Sequence, residues 1–387
     1  MNVVIVGGGF AGLKTALELA NKPQFSVTLI SKNADFEYHG ALYRSATGHS
    51  PLEVVLRIGE ILKNASNVNF VIDEIVALHH SSQCIEGVTG ARYSYDRLVL
   101  AMGNEKNFFG IEGMSEYAHT MYTIHDTMAL RRDLVTLFTS QYRRPVSVSI
   151  IGAGPSGVEL AGDMKRFAEM VASTYHLPTK HVTVELIEGA DRVLPTLSPR
   201  ASDKAMKRLK KLGVRVMLSQ KVSKCAPNSI TLERAEHATD IVVWTAGSRA
   251  VDIFAKYPEL FELQRGKVVV DEYLRVPKAP TMYVAGDNAL TRYSGMAQTA
   301  IHDGRFIAAN LIREHTNEAL HTYRAKMPIY VVPIGGKWAV SQINGKVRSG
   351  RLGWSVRRKA DLWVYKNFEP FKSALASWRK ANKRASF

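Results

Sequence analysis

This sequence predicts an α/β protein whose central supersecondary unit occurs twice. Three observations carry that expectation. Near-continuous apolar segments, Val3 to Val6 and Val146 to Ile151, each run into a glycine-rich turn. Each turn opens a helical pattern, and each helix is followed by a second apolar segment, Val27 to Ile30 or Val182 to Ile187. Parallel strands joined by a helix bury both sheet faces, which is why such strands are unbroken apolar runs rather than alternating ones.

Taken in order, the first unit is a strand over Val3 to Val6, a turn over Gly7 to Gly12, a helix over Leu13 to Ala20 and a strand over Val27 to Ile30. The second is a strand over Val146 to Ile151, a turn over Gly152 to Gly157, a helix from Val158 and a strand over Val182 to Ile187. Further apolar strands at Arg97 to Ala101, Ile241 to Thr245 and Met282 to Ala285 each end at a glycine: Gly103, Gly247 and Gly286. Such carboxyl ends are where ligands gather in open sheets. From Pro328 to Ile343 the pattern changes to short strand-like pieces separated by glycines, which sets a boundary near Lys326. In Glu369 to Phe387, Phe371, Leu375 and Trp378 are spaced four and three apart, while Lys372, Arg379, Lys380, Lys383 and Arg384 fall mainly elsewhere. That spacing suits a basic amphipathic helix. The expected domains are residues 1–110 with 276–327, residues 111–275, and a C-terminal region 328–387.

Composition bounds the rest. A chain of 387 residues with 46% hydrophobic content supports two or three cores and excludes intrinsic disorder. The longest uncharged run, Pro145 to Val158, has 14 residues, and a spanning helix needs about 20 apolar ones. No basic and then apolar leader precedes the first strand, so the expected starting compartment is the cytoplasm. Cys84 and Cys225 match no disulfide or metal-ligand spacing, so no metal site is expected. The net charge of +16 is local: from Lys337 onward, 13 Lys plus Arg face only Asp361 and Glu369, a net of +11.

The glycine turns carry chemistry. Gly7, Gly9 and Gly12 form GxGxxG between strand and helix, where the first glycine permits the turn, the second admits a pyrophosphate and the third lets helix meet strand. Its position at the start of the chain suits FAD. About 20 residues on, an acid normally binds the ribose, yet Ser31 and Lys32 stand there. Either the serine hydroxyl bonds the ribose and Lys32 lies over the adenosine, or the pocket is degenerate. The second turn supplies Gly152, Gly154 and Gly157, and its partner strand runs into Glu188, an acid suited to the 2′-hydroxyl of NADH and repelling the 2′-phosphate of NADPH. Arg192 lies close enough in sequence to moderate that repulsion. Gly286 and Asp287, at a strand end before a helix, suit a hydrogen bond to a flavin's ribityl chain, or a helix cap.

The order GGGFAG, LVLAMG, GAGPSGVEL, WTAG, YVAGD and AQTAIHDG resembles the two-dinucleotide-binding-domain flavoproteins across nearly the whole chain. Within them it looks most like type II NADH dehydrogenase, the single-subunit NADH:quinone oxidoreductase. The resemblance implies two Rossmann-like domains, one for FAD and one for NADH, and a basic amphipathic C-terminal segment that anchors the chain at a membrane. It implies that Gly7, Gly9, Gly12, Ala101, Gly103 and Asp287 contact FAD, with Met102 in place of the usual threonine. Glu159 is implied to approach the nicotinamide, and Gln298 and Thr299 to flank the isoalloxazine ring where quinone arrives. His302 replaces the family's glutamine and either relays a proton to the quinone or simply packs on its helix. Disulfide reductases and sulfide:quinone reductases share the architecture but need cysteine pairs that this chain lacks.

The expected reaction is therefore two-electron transfer from NADH through FAD to a membrane quinone, without proton pumping, at the cytoplasmic face of the cell membrane. Phe371, Leu375 and Trp378 would enter the interface while cations attract anionic lipid, with Trp354, Trp363 and Tyr365, interleaved with Arg357, Arg358 and Lys359, widening that surface. No nucleic-acid-binding motif accompanies the basic segment. A homodimer through the tail is implied by the resemblance alone. Two other functions stay open: a soluble NADH-dependent reductase of an electron-carrier protein, and a slow FAD- and NADH-binding scaffold or sensor.

Overall fold

The computed structural model describes residues 1–140, 144–177 and 182–380. Its principal elements, in chain order, are β1 (Asn2–Val6), α1 (Phe10–Leu19), β2 (Ser26–Ser31), α2 (Leu42–Ala46), β3 (Val68–Ile72), β4 (Arg97–Leu100) and α3 (Ile124–Ser140). There follow β5 (Val146–Ile151), α4 (Pro155–Thr174), β6 (Val182–Ile187), α5 (Pro199–Lys211), β7 (Arg215–Met217), β8 (Ile241–Trp244), β9 (Arg275–Val276) and β10 (Ala279–Val284). The chain continues through α6 (Ala297–His315), β11 (Tyr330–Pro333), β12 (Ala339–Ile343), β13 (Lys346–Gly350), α7 (Arg351–Phe368) and α8 (Phe371–Lys380).

Two parallel sheets organise the molecule, as the apolar runs predict. One has the order β9-β10-β4-β1-β2-β3, antiparallel only between β9 and β10; the other has the order β7-β6-β5-β8. Val3, Ile5, Leu29, Val148, Ile150 and Leu186 are solvent-free, so both sheets are covered on their faces. Residues 250–268 pack beneath the first sheet, where Phe254, Phe261 and Val268 meet Val4, Leu98 and Leu100. A short antiparallel pair, Asn104–Lys106 with Ser248–Ala250, links the two units.

Both helices start inside their glycine motifs, earlier than the periodicity suggests. Gly9 and Gly154 are extended N-caps, and Pro155 at the first helical position has its φ preset for the helix. Gly12 and Gly157 are thus helical residues.

The C-terminal region differs most from expectation. β11, β12 and β13 form an antiparallel sheet, and Val332, Ile334 and Val340 join the core of the second unit. Helix α7 is buried along one face, which carries Arg357, Asp361, Tyr365 and Phe368. Tyr365 and Arg357 therefore do not widen an exposed surface, as the sequence suggested. A basic–aromatic sequence pattern does not reveal which face a helix turns inward. Tyr365 donates to the Glu53 carbonyl at 2.7 Å, and Phe368 packs on Phe36 and Phe10. Lys383 and Arg384 lie outside the described residues.

Candidate functional site

The two glycine turns have the same geometry. Gly7 (φ +114°) and Gly152 (φ +103°) adopt a conformation that side chains rarely reach, and a Cβ there would overlap the Ala101 carbonyl or the Ala246 backbone. A Cβ on Gly12 or Gly157 would overlap the carbonyl oxygen of Gly7 or Gly152, so these glycines set the approach of helix to strand. Around Gly9 and Gly154 nothing lies within 4 Å of such a Cβ. Neither α1 nor α4 has a side-chain cap. Each turn therefore presents open space to uncapped N–H groups at a helix N-terminus, an arrangement that binds phosphate.

The equivalence extends outward. Gly7 N–H donates to the Ile30 carbonyl and Gly152 N–H to the Ile187 carbonyl, both at 2.8 Å, so Ser31 and Glu188 occupy matching positions. Glu188 turns back on its own turn, accepting from Ala153 N at 2.6 Å and Ala190 N at 2.9 Å. Ser31 is buried against Gly8, its hydroxyl accepting from Asn33 N at 3.3 Å, and Lys32 is exposed. Ala101 and Thr245 likewise match, and Gly103 and Gly247 follow each two residues later. Tyr122 donates to the Gly247 carbonyl and Asn288 to the Gly103 carbonyl.

Gly286 (φ +67°) lets the chain turn at the end of β10, beside Ala11 of α1 and Ala300 of α6. Asp287 follows, accepting from Asn104 Nδ2 at 2.9 Å, while its carbonyl accepts from Lys267 Nζ at 2.8 Å. The first glycine turn, the Asp287 turn and the N-terminus of α6 thus meet in one place. Thr299, 3% exposed in the first turn of α6, has an Oγ1 without a hydrogen-bond partner. Its neighbours are differently engaged. Gln298 clasps the Ile329 backbone, Nε2 donating to the carbonyl at 2.9 Å and Oε1 accepting the N–H at 3.1 Å. His302 Nε2 lies 3.0 Å from the Arg324 carbonyl with its ring against Tyr323, and burial holds its imidazole below the ordinary range.

Glu159, in α4, sits in a buried ionic cluster that no sequence motif announced. Arg357 of α7 donates to Glu159 at 3.2 Å, to Asp361 at 2.8 Å and to the Gly40 carbonyl at 2.5 Å. Arg44 of α2 and the Tyr38 hydroxyl donate to Asp361 at 2.8 and 2.9 Å. Burial pushes the Glu159 carboxyl up to about 7, against the pull of Arg357 and Arg44. Burial also opposes ionisation of Asp361, but Arg357 and Arg44 hold its carboxyl below the usual range. The only sequence trace was the Arg357 and Asp361 spacing of four on one helix face. The cluster joins α2, α4 and α7, three segments far apart in the chain.

The family of pyridine nucleotide-disulphide oxidoreductases matches residues 1–304. The chain belongs to that family. It is 29% identical to the type II NADH:quinone oxidoreductase Ndh of Mycobacterium tuberculosis, over 97% of this chain and 87% of that protein. The solved NDH2 of Plasmodium falciparum in complex with NADH superposes with a TM-score of 0.89 at 18% identity, covering 98% of this chain and 97% of that one. The sulfide:quinone oxidoreductase of Aquifex aeolicus superposes with 0.81 at 16%, covering 97% and 94%. In this member of the family Cys84 and Cys225 are both buried, on separate antiparallel sheets, and so do not form a redox pair. Among the described residues no cluster of metal-binding side chains occurs. FAD fits the first turn: the open space at Gly9, the uncapped α1, the adjacent Asp287 and the unpartnered Thr299 hydroxyl match a pyrophosphate, a ribityl chain and a polar ring edge.

Proposed function

We propose that this protein oxidises NADH and reduces a membrane quinone through bound FAD. Bound FAD would supply the hydride and two-electron chemistry by which NADH, a proton and the quinone become NAD+ and the quinol. The observation that carries the reading is the repetition of one phosphate-binding turn with two different ribose ends in a single chain. The first holds FAD through Gly7, Gly9, Gly12, Ser31, Lys32, Ala101, Gly103, Gly286 and Asp287. The second receives NADH through Gly152, Gly154, Gly157, Gly247 and Glu188. In this reading Glu159, just past the second turn, would approach the nicotinamide, with burial bringing its carboxyl up to about 7.

At the N-terminus of α6, Thr299 offers the free hydroxyl, while Gln298 holds the returning chain in place. The packing role of His302 is favoured by its bond to Arg324 and its contact with Tyr323. In this reading residues 248–275 belong with the FAD unit, given their core contacts.

A lipid-soluble acceptor requires a bilayer surface. No helix among the described residues is long and apolar enough to cross one. The exposed sides of α7 and α8 carry Leu352, Trp363 and Phe371 beside Arg351, Lys359, Lys366, Lys372 and Arg379. That combination suits insertion at an anionic surface. The expected location is the cytoplasmic face of the membrane. The full FAD-loaded chain should oxidise NADH with a short-chain quinone, and with a lipid-dissolved quinone in anionic vesicles. Phe371→Glu with Leu352→Glu should slow only the vesicle reaction. If NADH bleaches the flavin but no quinone restores its colour, the quinone reading fails and an electron-carrier protein becomes the acceptor to test.

A further inference from the structure

Asp303 is a solvent-free carboxyl that the reading above does not use. It faces inward from α6, behind the Gly286–Asp287 turn. Its Oδ2 accepts the Gly286 N–H at 3.0 Å, and its Oδ1 accepts the Tyr323 hydroxyl at 2.6 Å. None of the ion pairs found among the described residues includes it. A buried acid without a cation costs free energy when ionised, and burial raises its carboxyl to about 6. Leucine would fill the space without that cost, so the carboxyl needs a reason.

The surroundings supply one. The Gly286 carbonyl accepts from Ser294 Oγ at 3.2 Å, Ser294 Oγ accepts from Lys267 Nζ at 2.6 Å, and the same ammonium holds the Asp287 carbonyl. These bonds secure the carbonyl side of the turn; Asp303 secures its N–H side. Tyr323 belongs to a segment that runs back along one face of α6. Arg313 holds Ala319, Asn310 pairs with both backbone groups of His321, His302 meets Arg324 and Gln298 clasps Ile329. Phe306 packs edge-on to Tyr323. Tyr323 is the point at which this strap reaches through α6 to the turn.

We propose that Asp303 is a positioning residue for FAD: it holds the Gly286 peptide, and so Asp287, in place, and Tyr323 of the strap holds Asp303. The inference rests on the reading of Asp287 as a flavin contact. A bond to a carboxylate is stronger than one between neutral groups, which accounts for a charged group here despite its burial.

The test uses the full-length holoprotein, with FAD release followed by the return of flavin fluorescence on dilution and the melting temperature of the apoprotein as a second readout. Asp303→Leu should release FAD at least about tenfold faster, as expected for losing a charge-assisted bond. Asp303→Asn, whose amide oxygen still accepts from Gly286, should recover most of that loss. Tyr323→Phe should fall between wild type and Asp303→Leu. Melting of apo Asp303→Asn should be unchanged or higher, because a neutral amide removes the buried charge. Asp303→Leu retaining FAD as well as wild type overturns the inference. So does an apo melting temperature that falls in all three variants in proportion to FAD loss, which marks a packing role. If Asp303→Leu does not fold, Asp303→Asn and Tyr323→Phe decide by the same criteria. A wild type that takes up no FAD overturns the cofactor reading itself, an outcome distinct from both.

Discussion

The two glycine turns share a backbone and differ in charge. At each, the first glycine takes a positive φ, the second leaves open space and the third touches the first glycine's carbonyl. Seven residues after the first glycine each helix carries a buried charged side chain, and the charges are opposite: Lys14 in α1 and Glu159 in α4, each 7% exposed. Helix α7 touches both. The Asn367 carbonyl lies 3.5 Å from Lys14 Nζ, and Arg357 pairs with Glu159. Lys14 also pairs with Glu18 at 2.7 Å. The comparison teaches that the phosphate cradle is a property of backbone geometry, which a repeated motif reproduces. The two cradles differ instead in the side chains around them: Ser31 against Glu188, Lys14 against Glu159.

The largest expected effect comes from breaking the shared part. Gly7→Ala forces a side chain into a conformation costing about 1–3 kcal/mol and into the Ala101 carbonyl, so it should abolish FAD retention and lower the melting temperature. Gly9→Ala, with open space at its Cβ, should melt like wild type while losing FAD affinity about tenfold, since it intrudes only on a ligand's phosphate. Equal melting losses in the two variants would contradict this division of roles.

Glu188→Gln should lower kcat/KM for NADH about tenfold, by weakening a ribose contact to a charged acceptor, and should narrow the preference over NADPH. Steady-state rates with both nucleotides check it; an unchanged ratio removes Glu188 from nucleotide choice. The converse change, Ser31→Asp, should slow FAD release a few-fold, to be read by fluorescence on dilution. Faster release would mean that Ser31 is kept small by its packing against Gly8 and Ile58.

The smallest effect concerns the opposed charges. The Glu159 carboxyl is raised from its ordinary 4.5 to about 7 by burial. Between those values the folded chain holds a proton that the unfolded chain has lost, so this group makes stability fall as pH rises. Glu159→Gln should flatten that slope in chemical unfolding measured from pH 5 to 8. The variant should also lose a titration near pH 7 in the rate of NADH oxidation. An identical pH profile would leave Glu159 a purely structural partner of Arg357.

Legibility followed the range of the interactions. Strands β1, β2, β5 and β6 and both turns were readable because their signals are local: apolar runs, and glycines whose spacing answers a steric demand a few residues away. The Ser31 and Glu188 difference was readable for the same reason. The hydrogen-bond partners of Gln298 and His302 were not. Their sequence context places them on α6, but their partners Ile329 and Arg324 come from a strap with no regular structure and no periodicity. The basic C-terminal region misled in part, since charge content does not tell which cations α7 turns inward.

The sequence by itself determined the α/β class, the two parallel units, the glycine turns and the acid or its absence at the end of each unit's second strand. Each rests on contacts between near neighbours or on hydrophobic period, which the order of residues encodes directly. Only the tertiary structure decided that Arg44, Glu159, Arg357 and Asp361 share one buried cluster, that Asp303 holds Gly286, and which face of α7 turns inward. Those outcomes depend on which segments meet across hundreds of residues. There burial removes water, and a charge is tolerated only where partners from other elements replace it.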